Sequence, residues 1–142
     1  TVVFQDLNAE VLTLVTAWNV VLNCGVEALS RCRFVAGAWG AGVEAYGLAP
    51  HSVDLVVTAD TLYDAASHAS LISLVQSALR PPHGTALVAA KRFYFGCSGS
   101  VASFRAAVAA SEGDGTTRVV QSFVDGVSNI RDVVEWVPPA GA

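Results

Sequence analysis

Short β-branched and aliphatic runs alternate along this chain with stretches whose apolar residues recur every three or four positions. That alternation restricts the chain to a layered α/β architecture with right-handed crossovers. Thr1 to Phe4 reads as a strand that stops at the turn Gln5-Asp6-Leu7-Asn8. Asn8 is placed to cap a helix whose apolar face is Val11, Leu14, Val15, Trp18, Val21 and Leu22, ending at Asn23-Cys24-Gly25. Arg33 to Ala36 is a short strand, and Gly37 to Ser52 reads as loop. Val53 to Ala59 is a buried strand at the centre of the sheet. Asp64 then caps a helix with His68, Leu71, Ile72, Val75 and Leu79 on one face, halted by Pro81-Pro82. Thr85 to Ala90 is a continuous apolar run, as expected of a strand covered on both sides. Ser98 or Ser100 caps a third helix carrying Val101, Phe104 and Val108, which fades at Gly113 and Gly115. Thr117 to Val124 and Ile130 to Val137 close the chain as a hairpin around Asp125-Gly126.

At 142 residues, 53% hydrophobic and 14% charged, the chain is large and apolar enough for a packed core. Its net charge of -4 carries no Lys/Arg cluster, which argues against nucleic acid as the main partner. Cys24, Cys32 and Cys97 are an odd set without CxxC spacing, so free thiols in a reducing compartment are expected, and cytoplasm or nucleus is the default location. His51, His68 and His83 are scattered, which makes a metal site improbable. No apolar stretch is long enough to span a bilayer, so no membrane partner is expected. The chain opens on Thr1, directly in a strand. Domains do not normally begin in mid-sheet, and the sequence therefore reads as a fragment with its upstream part missing.

In open α/β sheets ligands lie beyond the carboxyl ends of the strands, and polar groups gather there in this sequence. Asp6 follows the first strand, where an acid accepts both ribose hydroxyls of a nucleoside or, equally, caps a helix. Gly37-Ala38-Trp39 follows the second; its small residues admit a ligand and its indole stacks on a flat ring, unless the tryptophan is simply core. Thr58-Ala59-Asp60-Thr61-Leu62-Tyr63 ends the third. Asp60 there orients or deprotonates an acceptor, or caps the next helix. Ala90-Lys91-Arg92-Phe93-Tyr94-Phe95-Gly96 ends the fourth, as a functional lip or as aromatic cover for the sheet edge with Lys91 solvated. Together these segments outline one crevice. No GxGxxG or GxxxxGK[ST] follows a strand, and Gly96-Cys97-Ser98-Gly99 is one residue away from a nucleophile elbow with no partnering histidine, so a phosphate cradle and a serine hydrolase are both disfavoured.

Val3-Phe4-Gln5-Asp6-Leu7-Asn8 with Asn19-Val20-Val21-Leu22-Asn23 resembles the region after the glycine motif in the eukaryotic protein-histidine methyltransferases, S-adenosylmethionine-dependent enzymes of the seven-strand class. Phe34-Val35-Ala36-Gly37-Ala38-Trp39 is similar to that family's glycine–acid–tryptophan segment. Asp54 to Tyr63 is similar to its Asp-Leu…Thr-Ser-Glu-Thr-Ile-Tyr signature. Ala89-Ala90-Lys91-Arg92-Phe93-Tyr94-Phe95-Gly96 is similar to its Ala-Lys…Tyr-Tyr-Phe-Gly segment and is the most specific part. The resemblance runs from Val2 to about Phe104. It implies a Rossmann-like methyltransferase sheet with helices on both faces, N-terminally incomplete, residues 1–142 being the C-terminal part of a single methyltransferase domain.

The same resemblance implies that Gln5, Asp6 and Leu7 hold the ribose of S-adenosylmethionine. Gly37, Ala38 and Trp39 would flank its adenine, and Ala59 would line the wall near its methionine portion. Asp60 and Tyr63 are then the candidate catalytic residues, and Thr61, Lys91, Phe93 and Tyr94 shape the acceptor mouth. Several positions depart from the family. Ala38 replaces an acid, which leaves the adenine amine without that hydrogen bond. Ala59 replaces a serine and Asp60 a glutamate. The family's first strand and glycine loop, which lie centrally in its sheet, have no counterpart in this chain. The implied reaction is methyl transfer to a histidine of a protein substrate, by resemblance a ribosomal protein. A protein-lysine methyltransferase of the same group and a non-catalytic, methyltransferase-like interaction domain are the rival readings.

Overall fold

The computed structural model describes residues 1–111, 115–127 and 129–137, which fall into two compact units divided after Gly47. The expected strand–helix–strand–strand–helix–strand–helix–strand–strand order is observed. Gly113, one of the two glycines at which the third helix was expected to fade, lies outside the described residues.

In the first unit, strands β1 (Val2–Asp6) and β2 (Cys32–Ala36) pair in parallel. The register places Phe4 opposite Phe34, and the two rings stack with centroids 5.3 Å apart. Helix α1, residues 9–24, joins them. Asn8 occupies its N-cap position with extended backbone, but its side chain makes no capping bond. The face read from three- and four-residue steps is not the one turned inward. Leu12 and Val20 are buried, whereas Leu14, Trp18 and Leu22 are 69%, 60% and 78% exposed. Leu12–Thr16 is wound as a π-helix, and the Thr16 hydroxyl donates to the Val11 carbonyl five residues back. The inward positions are Leu12, the half-buried Thr16 and Val20, and the other apolar residues of the run lie half-buried or exposed. The segment from Gly37 onward, expected as plain loop, contains single 3₁₀ turns at Trp39–Ala41 and Val43–Tyr46, with Val43 and Tyr46 buried.

In the second unit, strands β3 (Leu55–Ala59), β4 (Thr85–Lys91), β5 (Thr116–Phe123) and β6 (Arg131–Val137) form one mixed sheet in the order β3-β4-β6-β5. β3 and β4 are parallel, joined through helix α2 (His68–Ala78). β5 and β6 form the expected antiparallel hairpin, with a bulge at Val120. Among the described residues β3 pairs with β4 alone, so it is an edge strand of this sheet rather than a central one. β4 alternates half-buried and buried positions instead of being covered throughout. Its buried Ala86, Val88 and Ala90 lie opposite Trp136, Val134 and Asp132 of β6. Onto this sheet unit pack α2 and helix α3 (Val101–Ala110), which contribute Leu71, Ile72, Val75, Val101, Phe104 and Val108 to the core. Phe104 meets both Trp136 and His68 edge to face, at 5.9 and 5.7 Å between centroids. Of the two serines proposed to cap α3 it is Ser100, whose hydroxyl accepts the Ser103 N–H at 3.0 Å while Ser103 bonds back to the Ser100 N–H. No helix among the described residues is long and apolar enough to cross a membrane.

Candidate active site

In the first unit the carboxyl ends of β1 and β2 bring together Gln5, Asp6, Gly37 and Trp39. Gln5 is the junction. Its amide nitrogen donates to the Gly37 carbonyl at 2.6 Å, and its oxygen accepts the Trp39 indole N–H at 3.0 Å. The Gly37 N–H donates to the Asp6 carbonyl at 3.0 Å, continuing the parallel ladder into the loop. Asp6 accepts the Asn8 N–H on Oδ1 at 2.8 Å, and its Oδ2 has no hydrogen-bond partner among the described residues. Asp6 thus turns the chain into α1 and still presents an acceptor, so the two roles read from sequence are compatible. Leu7 is exposed beside it. A carboxylate acceptor next to a half-buried indole fits a vicinal diol attached to a flat base.

Tyr46, which sequence reasoning passed over, supports this mouth. It is buried, its hydroxyl donates to the Ala38 carbonyl at 2.6 Å, and burial raises its pKa above the ordinary phenol value. Arg33 fastens the same turn, donating to the carbonyls of Tyr46 and Gly47 at 3.0 and 2.9 Å. Gly47 is left-handed, and a Cβ there would meet the Arg33 guanidinium at 2.1 Å. Gly37 carries no such demand, since a Cβ would approach Tyr46 only to 3.5 Å. Nothing in a loop-like sequence marks Tyr46 except an aromatic residue just before a glycine.

In the second unit the ends of β3 and β4 bring together Ala59, Asp60, Thr61, Tyr63, Lys91 and Tyr94. Asp60 sits at φ +53°, in the left-handed region, and its N–H donates to the Ala89 carbonyl of β4 at 2.9 Å. The Tyr94 hydroxyl donates to Asp60 Oδ1 at 2.8 Å and accepts the Lys91 N–H at 3.2 Å. Partial burial, and then the bond to Asp60, push the Tyr94 phenol up to about 12, against a smaller downward pull from the Lys91 N–H. Lys91 Nζ lies 5.6 Å from the centre of the Tyr94 ring, and Tyr63 meets that ring edge to face at 6.3 Å. Thr61 accepts from the Thr58 hydroxyl at 3.1 Å. Tyr63 and Phe93 are about half exposed; the Phe93 carbonyl is held by the Asn129 amide. The segment that ends β4 is therefore built into the mouth through Lys91 and Tyr94, while the ring of Phe93 faces solvent.

The two halves of this mouth are tied crosswise. Asp64 caps the turn before α2 by accepting the Ala66 N–H at 3.1 Å, and the same oxygen accepts the Ser98 hydroxyl at 3.1 Å. Ser98 accepts the Ala65 N–H at 3.0 Å, and the Gly99 N–H donates to the Tyr63 carbonyl at 2.9 Å. Behind the mouth, Arg92 makes a two-pronged contact with the buried Asp132, both bonds 2.9 Å, and the Ser122 hydroxyl donates to Asp132 at 2.6 Å. The Arg92 hydrogen bond, aided by Ser122, holds the Asp132 carboxyl below the ordinary range against the opposing effect of burial. Cys24, Cys32 and Cys97 are free thiols, and no group of three metal-ligating side chains is found among the described residues.

Parallel strands with polar and aromatic groups gathered at their carboxyl ends, in an α/β chain with a mixed sheet, are consistent with a methyltransferase fold. The chain is 32% identical over 134 residues to histidine protein methyltransferase 1 homolog of Dictyostelium discoideum, an alignment covering 94% of this chain and 41% of that protein. It is 28% identical over 171 residues to histidine protein methyltransferase 1 of Schizosaccharomyces pombe, covering 96% of this chain and 48% of that protein. No protein-family model matches. The chain is similar to these two proteins along almost its whole length, and it spans somewhat less than half of theirs.

Proposed function

We propose that the protein to which this chain belongs transfers a methyl group from S-adenosylmethionine to a histidine side chain of a protein substrate, and that residues 1–142 are part of a single methyltransferase domain. The observation that carries this reading is the Asp60–Tyr94 pair, an oriented carboxylate at a strand mouth in a homologue of histidine methyltransferases. When bound, S-adenosylmethionine supplies an electrophilic methyl group on a sulfonium. The chain's own task is to hold the donor and align an unprotonated nucleophile.

Asp6, with Gln5 and Leu7, is assigned to the ribose. Gly37, Ala38 and Trp39 are assigned to the adenine, and Ala59 to the methionine side. Asp60 orients the acceptor imidazole and Tyr63 packs over it, with Thr61, Lys91, Phe93 and Tyr94 shaping the entry. Neutral imidazole is abundant near pH 7, so Asp60 need only orient it. A lysine acceptor would require a proton to be removed first. A ribosomal protein in the cytoplasm or nucleus is the proposed substrate, in keeping with the resemblance and with an acidic chain that does not itself carry a nucleic-acid-binding stripe.

The test is to incubate the full-length protein with isotopically methyl-labelled S-adenosylmethionine and total protein from cells lacking the gene, then analyse the acid hydrolysate for methylated amino acids. Labelled methylhistidine is expected. Labelled methyllysine would move the assignment to the lysine-directed enzymes. No labelled product, together with no binding of S-adenosylhomocysteine, would replace it with a non-catalytic interaction domain.

A further inference from the structure

The geometry around Asp60 specifies more than the presence of a carboxylate. Its backbone is held at φ +53° by the Ala89 carbonyl, and its Oδ1 is taken by the Tyr94 hydroxyl. That hydroxyl has one proton. With the Lys91 N–H already donating to its oxygen, the proton is committed to Asp60. Oδ2 has no partner among the described residues and remains as an acceptor in a fixed direction. A carboxylate only accepts hydrogen bonds, and a neutral imidazole has one N–H donor and one lone-pair nitrogen. An imidazole docked on Oδ2 must therefore present its N–H to Asp60, and its other nitrogen is left as the nucleophile.

We propose that Tyr94 is a positioning residue that, by fixing the direction of the Asp60 carboxylate, fixes the orientation in which the acceptor imidazole presents its N–H and so decides which of the two ring nitrogens is methylated. This rests on the reading of the site as a histidine methyltransferase. In the step, the lone pair of the nitrogen turned away from Asp60 forms the N–C bond to the methyl of a sulfonium donor. The C–S bond breaks as the sulfur leaves with its electron pair, as a neutral thioether. The product is a methylimidazolium bearing the positive charge, and its remaining N–H proton passes by way of Asp60 to water.

The two N-methylhistidines are separable in an acid hydrolysate, so product identity can be read independently of rate. With the full-length protein, S-adenosylmethionine and total protein from cells lacking the gene, the wild type should give one isomer almost exclusively. Tyr94→Phe frees the carboxylate to rotate, and the minor isomer should rise on the order of tenfold, the scale of one hydrogen bond to a charged group. Asp60→Asn can keep its oxygen on Tyr94 and turn its amide N–H₂ outward. It then donates to the lone-pair nitrogen, which turns the protonated nitrogen toward the donor, so formation of both isomers should fall steeply. An unchanged isomer ratio in Tyr94→Phe overturns the proposal, whether or not that enzyme is slower, as does an Asp60→Asn enzyme of undiminished rate. If Tyr94→Phe does not fold, Asp60→Asn decides alone, and undiminished methylhistidine there overturns the proposal. Methyllysine or no product from the wild type is a different failure, which removes the histidine reading itself and this inference with it.

Discussion

Gly99 is packed directly against the backbone of Leu62: a Cβ at position 99 would lie 1.9 Å from the Leu62 carbonyl oxygen and 2.7 Å from the Tyr63 carbonyl carbon. Neither neighbour is the end of a flexible side chain, and Leu62 itself is fully buried. The chain after β3 and the chain before α3 can approach so closely only because position 99 has no side chain. Gly99→Ala is therefore expected to cost about 2 kcal/mol of stability, the scale of overpacking a rigid site, and to displace Asp60–Tyr63. Denaturant unfolding of wild type and variant measures the first effect. A variant of unchanged midpoint would contradict the close approach.

The Arg92–Asp132 pair makes a signed prediction about acid. The folded-state pKa of Asp132 is lowered, chiefly by its hydrogen bonds from Arg92. Its contribution to stability is complete above the unfolded carboxyl pKa and is lost as pH falls below about 4 and through the folded value. Asp132→Asn should destabilise the protein by a few kcal/mol near neutral pH, reduced from the fully buried case because Arg92 is partly exposed. The variant should also show a flatter decline in stability below pH 4 than the wild type. Circular-dichroism unfolding series at pH 7, 5, 4 and 3 supply the comparison; parallel curves would refute it.

Tyr94 should titrate late. Its phenol lies near pH 12, with burial as the larger cause and Asp60 as the second. Asp60→Ala should bring the value down only part of the way toward that of an ordinary tyrosine, because the burial remains. Carbon-13 labelling at tyrosine Cζ, with Tyr94→Phe to assign the resonance, follows this directly. A wild-type value near 10 would show that the hydroxyl is not committed to the carboxylate.

Trp39→Phe keeps an aromatic ring but removes the N–H that holds Gln5. Affinity of the full-length protein for S-adenosylhomocysteine should fall by about fivefold to tenfold, the equivalent of one neutral hydrogen bond. Trp39→Ala, which also removes the ring surface, should fall further. Isothermal titration with both variants separates the two contributions, and equal losses would mean that the indole N–H plays no part.

Much of the fold could be read from the sequence because its strands and helices obey single local rules. The α2 face from His68 to Leu79, the Asp64 cap, the Ser100 alternative for α3 and the closing hairpin each depend on periodicity or on one capping side chain. The α1 face departs from its periodicity, since Leu12 and Val20 are buried and Leu14, Trp18 and Leu22 exposed, and nothing in an apolar run announces the π-helical stretch at Leu12–Thr16. The strand-end positions were legible one by one, Asp6 and Trp39 in the first unit and Asp60 and the segment from Lys91 in the second. Their connections were not. The Gln5 bridge to Trp39 and Gly37, the Tyr46 support and the Asp64–Ser98 tie join positions up to 34 residues apart, and such partners are chosen by tertiary packing.

The crosswise ties between residues 60–66 and 94–99 carry an evolutionary consequence. Groups on the two segments share Asp64, Ser98, Gly99 and Tyr94, so the fitness effect of a change in one depends on the state of the other. A lineage or a laboratory library that varies one segment alone will meet mostly dead ends. New acceptor preferences should arise instead from paired substitutions, and strong sign epistasis between positions 60–66 and 94–99 is the signature that deep mutational scanning should find.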